Sequence, residues 1–377
     1  MSDNEEIYRK LIDWLNKAWW KLPESKSLMP SIKARYTPEE ASFLTGMPFT
    51  FKSLEELAAL KQVAPVELLP RLKQMVRKGL VYESIRGESS RYRLLDGFDS
   101  IARMSLWRGK DDEPSKAVAK HSNHYFFEDR LFDQVADVHL KALRTLPINK
   151  TIEDTREILP FENVIKIIDD YEYFSVSTCP CKHMRNIDPN YPNCRHPTEV
   201  CLHFDDLGRY CVENGMGREI TREEASDVLR KAADSGLVHG IQNYKNRTDT
   251  ICNCCGCCCI WLQSYHKLGH SKGLDPSNYR VEINPETCKA CGLCIKRCPM
   301  DALQIKYTPK AGNKYQKAPV VDPTKCIGCG VCAHKCPTDS MKLVRNETIT
   351  EPPESPREYA QLYAADRRRA ALEGRAH

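Results

Sequence analysis

The chain has 377 residues, of which 41% are hydrophobic and 28% charged, with a formal net charge of +5. That length suits two or three domains with packed cores, and the absence of any run of 18 apolar residues excludes a predicted membrane span. So small a charge gives no argument for nucleic acid as a partner of the whole chain.

The N-terminus, Met1-Ser2-Asp3-Asn4-Glu5-Glu6, lacks the basic and apolar regions of a secretory signal, so a soluble, cytoplasmic protein is expected. Residues 1–36 predict an amphipathic helix (Ile7, Leu11, Ile12, Leu15, Trp19) ending near Pro23, followed by a linker. In residues 37–97, Thr37-Pro38-Glu39-Glu40 opens one helix and the capping box Ser53-Leu54-Glu55-Glu56 a second. Pro65 starts a third, which ends at Lys78-Gly79. Leu80-Val81-Tyr82 and Arg91-Tyr92-Arg93-Leu94 then read as strands around a Gly87 turn. This order resembles a winged helix-turn-helix. Pro70 inside the third helix departs from it and predicts a kink, since an interior proline costs about 3 kcal/mol.

Residues 98–170 read as a mostly helical connector. Tyr171 to Ser177 reads as a strand leading into Cys179. Thr221-Arg222-Glu223-Glu224 is another capping box, for a helix ending at Ser235-Gly236. The tail, 346–377, is Pro-rich, then helical and basic at Arg367-Arg368-Arg369.

Cysteine is the strongest signal. There are 19, none before Cys179 and none after Cys336. In a reducing compartment, such dense and local cysteines are metal ligands rather than disulfides. Cys288-x2-Cys291-x2-Cys294-x3-Cys298-Pro299 is followed by Cys326-x2-Cys329-x2-Cys332-x3-Cys336-Pro337. The flanks repeat too, Asn284-Pro285 against Asp322-Pro323 and Met300-Asp301-Ala302-Leu303 against Thr338-Asp339-Ser340-Met341. Residues 281–345 therefore resemble the bacterial two-cluster ferredoxins. The resemblance implies two [4Fe–4S] clusters, one on Cys288, Cys291, Cys294 and Cys336, the other on Cys326, Cys329, Cys332 and Cys298. Structural zinc is the alternative, but it favours C-x2-C pairs separated by a longer gap. The Lys-rich Tyr307–Ala318 stretch is an insertion relative to the minimal domain. With 11 Lys/Arg against 5 Asp/Glu, residues 281–345 carry a formal excess of +6, which would raise cluster potentials and steer an acidic redox partner.

Residues 171–280 hold the other cysteines. Cys179, Cys181, Cys194 and Cys201 form one group, with Cys252, Cys254, Cys255, Cys257, Cys258 and Cys259 as a second. All ten are candidate metal ligands. Cys211 is held as a free thiol. Because adjacent cysteines point different ways, the segment with Cys257-Cys258-Cys259 is expected to lie between metal centres or to grip a larger cluster rather than to serve one ion alone. Gly256 is expected to permit a tight reversal. His183, His196 and His203 lie nearby as outer donors. The region resembles iron–sulfur binding proteins of anaerobic bacteria and archaea, which implies at least one further iron–sulfur cluster, with zinc the less favoured alternative.

The fold class predicted is α+β and multidomain: a winged-helix-like domain, a mixed cysteine-rich middle domain and a ferredoxin-like two-cluster domain. No phosphate-cradling Gly loop and no flavin or nicotinamide site is visible. An electron-transfer protein or subunit is expected, ahead of a free-standing enzyme. The alternative is a redox-sensing transcription regulator. DNA is less favoured because residues 37–97 carry 9 Lys/Arg against 8 Asp/Glu, short of the basic stripe that phosphate binding needs. Self-association is compatible with the sequence.

Overall fold

The computed structural model describes residues 3–18, 20–87, 89–129, 138–154, 158–246, 248–266 and 273–373. They form a mixed α+β structure in two compact units. The first draws on residues 1–134, 173–194 and 203–220, the second on 135–172, 195–202 and 221–377. No helix among the described residues is long and apolar enough to cross a membrane.

In the first unit, capping chemistry sets the N-terminal helices. Helix Asp3–Leu15 buries Tyr8, Leu11, Ile12 and Leu15; Trp19 lies outside the described residues. The Thr37 hydroxyl accepts from the Glu40 amide and the Glu40 carboxylate accepts from the Thr37 amide, opening helix Pro38–Leu44. Ser53 and Glu56 do the same for helix Leu54–Lys61. Helix Pro65–Arg77 continues through Pro70. Gly79, at φ +70°, then turns the chain into the antiparallel hairpin Val81–Arg86/Ser89–Leu94. Behind the hairpin, the Tyr210 hydroxyl lies 3.1 and 3.0 Å from the carbonyl oxygens of Val76 and Val81. Ser84 donates to Asp206 at 3.0 Å. Strands Phe174–Thr178 and Arg218–Ile220 pair antiparallel in the same unit.

The described residues of the stretch 98–170 are mostly helical, with one strand among them. They hold a π-helical turn at Asp99–Met104, helix Glu113–Asn123 and helix Val164–Asp169, but also strand Leu143–Leu146. The stretch is divided between the two units, and residues 130–137 and 155–157 are not among those described.

The sheet of the second unit is ordered Glu199–Phe204 (to Leu202 in this unit), Thr250–Cys254, Val238–Gln242, Leu143–Leu146, Leu274–Asp275. Val238–Gln242 runs antiparallel to both neighbours, with Gly240 opposite Cys252 and Val238 opposite Cys254. Helix Arg222–Asp234 has the expected Thr221/Glu224 capping box, and Gly236 leaves it at φ +83°. The cysteine repeat is framed by two antiparallel pairs, Tyr279–Ile283 with Met341–Arg345 and Leu303–Tyr307 with Lys317–Val321. C-terminal helix Pro356–Leu372 is tied down by Asp366, whose carboxylate accepts from the amides of His139 and Leu140.

Candidate metal centres

The two halves of the repeat, 38 positions apart, share the same backbone exceptions. Ala290 and Gly328 have φ +53° and +65°, Gly292 and Gly330 +73° and +78°, and Asp301 and Asp339 +50° and +48°. Left-handed residues cost energy unless their surroundings demand them, and here each pair turns the chain around a cysteine. The turns aim backbone donors at sulfur. The Ala290 amide donates to Cys288 Sγ at 3.4 Å and the Ala302 amide to Cys298 Sγ at 3.3 Å. Short helices Leu293–Arg297 and Val331–His334 follow the two glycines and carry Cys294 and Cys332.

This geometry leaves two hollows among the cysteines. One is lined by Cys288, Cys291, Cys294 and Cys336. The other is lined by Cys298, Cys326, Cys329 and Cys332. Each receives three cysteines from one repeat and the fourth from the other. The walls are apolar: Val281, Leu303, Met341 and Leu343 pack around Cys294, Cys298, Cys332 and Cys336. Burial pushes the Cys294 thiol up to about 11 and the Cys298, Cys329 and Cys332 thiols up as well. Buried thiolates are therefore unfavourable unless a cation accompanies them. Four soft donors around each apolar cavity fit an iron–sulfur cluster.

The insertion between the repeats belongs to the first cavity. Asn313 donates from Nδ2 to the Cys288 carbonyl at 2.9 Å, and the Gly312 amide to the Pro285 carbonyl at 3.1 Å. Nothing in the sequence marks Asn313 as part of a metal site. Its only signal was the turn-like Ala311-Gly312-Asn313. Lys289, Lys310, Lys314 and Tyr315 are exposed, as is Cys291.

Upstream, strand Thr250–Cys254 alternates its side chains. Asn253 bridges the His239 ring, 2.6 Å away, and the Val200 carbonyl, to which it donates at 2.7 Å. Cys254 hydrogen-bonds with Cys252 and Cys259, which together with burial raise its thiol well above the usual range. These three sulfurs share a core with Met300, Ile327 and Cys329. Cys255, Cys257 and Cys258 form a separate set, with Sγ atoms within 4.8 Å of one another. The segment thus divides its six thiols between two places. Adjacent cysteines do not all diverge as expected: Cys257 and Cys258 Sγ lie 3.6 Å apart, and Cys259 turns away to Cys254. Gly256 has no positive φ; its small size matters through a close approach instead.

The remaining predicted residues lie as follows. Cys179 caps helix Pro180–Ile187, and its hydrogen bond with Cys181, then burial, push its thiol up. The Cys194 amide donates to Asn186 Oδ1 at 2.7 Å. Cys201 is buried on its strand and Cys211 in helix Asp205–Glu213. His183 Nε2 lies 3.0 Å from the Lys110 carbonyl oxygen, and the buried His203 packs on Trp107 with ring centroids 4.4 Å apart. His196 is half-buried. Among the described residues no histidine joins a compact group of metal-ligating side chains.

No curated protein matches the chain. Residues 287–340 match the family described as the 4Fe-4S dicluster domain, so this is an iron–sulfur protein whose C-terminal region carries such a domain.

Proposed function

We propose that the protein is an electron-transfer protein or subunit that exchanges single electrons with a partner redox protein. The observation that carries this is the pair of four-cysteine cavities with exchanged fourth cysteines. Cys288, Cys291, Cys294 and Cys336 would hold one [4Fe–4S] cluster, and Cys326, Cys329, Cys332 and Cys298 the other. When bound, such clusters supply one-electron chemistry at low potential. The chain's own contribution is to exclude water with apolar walls, to hold the sulfurs apart, and to donate amides to Cys288 and Cys298, which favours added negative charge. The exposed Cys291 and Lys289, with the exposed Lys310 and Lys314 on the loop that Asn313 ties to Cys288, suit an acidic partner. The upstream cysteines hold a further metal centre.

The winged-helix-like segment is assigned a protein-organising role. Two of its cations are neutralised within the segment: Lys73 pairs with Glu83 at 2.5 Å, and Lys78 with Glu40. Arg71 stacks on Phe43, while Arg93 stacks on Phe51 and Tyr82. Arg91 donates to the Phe51 carbonyl and Arg77 to that of Lys73. The Arg86 side chain and Glu88 lie outside the described residues. Charges and forks engaged in this way leave few groups to neutralise phosphates.

The test is anaerobic purification of the full chain with iron and acid-labile sulfide counts, then EPR after reduction. Spin-coupled [4Fe–4S] signals and at least eight irons with eight sulfides are expected. Zinc without iron or sulfide would overturn the reading.

A further inference from the structure

The division of thiols in Cys252–Cys259 carries an inference beyond the ferredoxin region. A four-iron cube takes one thiolate per iron and so holds its thiolates farther apart than ligands that share one ion. The ferredoxin cysteines act as an internal control: among the described residues, no three of them have sulfurs within 4.8 Å of one another, and each set of four surrounds a cavity. Cys255, Cys257 and Cys258 do meet that limit, with 3.6 Å between Cys257 and Cys258. A tetrahedral ion with metal–sulfur bonds of about 2.3 Å sets its ligands about 3.8 Å apart.

We infer that Cys255, Cys257 and Cys258 bind a single divalent ion, zinc or ferrous iron, in a mononuclear thiolate site. This departs from the cluster expected of these cysteines. The segment supplies three of the four ligands that a tetrahedral ion takes, and each thiol gives up its proton on binding. Cys255 and Cys258 are buried and Cys257 is exposed, so the ion sits at the edge of the fold. Gln263 braces the loop, donating to the Gly256 carbonyl at 3.2 Å and to that of Cys257. The site's role is to knot this loop. The inference rests on the upstream cysteines holding metal, but not on the ferredoxin cavities carrying electrons.

The test compares the full-length protein with C257S/C258S, both purified anaerobically from medium containing iron and zinc. Zinc, iron and acid-labile sulfide are counted per chain. The variant is expected to lose one metal ion and no sulfide, and the identity of the lost ion separates zinc from iron. X-ray absorption at that metal's edge in a wild-type sample isolates the site if the variant fails to fold. For zinc it should show sulfur neighbours near 2.3 Å and no nearby second metal. If iron is the lost ion, cobalt-substituted wild type should show tetrahedral thiolate bands. Sulfide counts on the intact chain report separately on the ferredoxin clusters. Loss of about four irons together with four sulfides, or no loss of metal, would overturn the inference.

Discussion

Gly256 lies hard against the carbonyl oxygen of Pro299: a Cβ at position 256 would stand 2.4 Å from that oxygen. The contact joins the middle of the Cys252–Cys259 segment to the residue that follows Cys298, a ligand candidate of the second cavity. Backbone meets backbone here, so no flexible side chain can yield. Gly256→Ala must push the two segments apart, and overpacking of this kind costs about 1–3 kcal/mol. The variant should lose iron faster in urea, and the EPR signal of one cluster should change before the other. Unchanged spectra and bleaching rates would show that the contact is slack.

Arg297 makes a second link within this unit. Its guanidinium donates to the carbonyls of Ala233 at 2.9 Å, Asp234 at 3.0 Å and Val331 at 3.2 Å. It thereby caps the last turn of helix Arg222–Asp234 and holds it to the first residue of helix Val331–His334. His334 and Lys335 grip the Asp234 carboxylate, each at 2.7 Å, and hold it down to about 2. Removing a charged donor from several carbonyls costs about 1.5–3 kcal/mol. Arg297→Ala should shift the urea midpoint down accordingly. Arg297→Lys should recover little, because one ammonium cannot reproduce the fork.

The cysteine repeat was legible because ligand spacing is a local property: two-residue gaps wrap three thiols round one cavity whatever the rest of the chain does. The capping boxes at Thr37, Ser53 and Thr221 were legible for the same reason. What was not legible depends on distant contacts. Whether Cys257 sides with Cys258 or Cys259 is decided by how strand Thr250–Cys254 pairs and where the loop meets Pro299. Strand Leu143–Leu146 is sheltered between Val238–Gln242 and Leu274–Asp275, and its buried pattern gave no polar alternation to read. Segments 173–194 and 203–220 pack with the N-terminal helices across long sequence gaps, which a linear reading of domains cannot foresee.

Lys289 lines the first cavity, and Lys310 and Lys314 lie on the loop that Asn313 ties to Cys288. Lys289, Lys310 and Lys314 are exposed, and none is in an ion pair among the described residues. Replacing all three by Glu reverses the local field without touching a cysteine. Stopped-flow electron exchange with an acidic flavodoxin should slow by roughly tenfold or more at low ionic strength, and its salt dependence should flatten or invert. Equal rates for both proteins would place the docking face elsewhere.

Asp96 lies far in sequence from any cysteine. Its side chain is buried, and burial, reinforced by the neighbouring Asp99 carboxylate, pushes it up to about 7. The Asp99 amide donates to Asp96 Oδ1 at 2.9 Å, which offsets part of that effect. An unfolded Asp titrates near 3.9. Between about pH 4 and pH 7 the folded state therefore binds the extra proton, so this group's contribution to stability falls as pH rises through that window and levels off above it. Asp96→Asn keeps an oxygen for the Asp99 amide and removes the charge. In anaerobic urea unfolding the variant should gain on the wild type between pH 6 and pH 8, by on the order of 1–3 kcal/mol at pH 8. A gap between the two proteins that stays constant over that range would mean that Asp96 is ionised throughout, and that the buried site accommodates its charge.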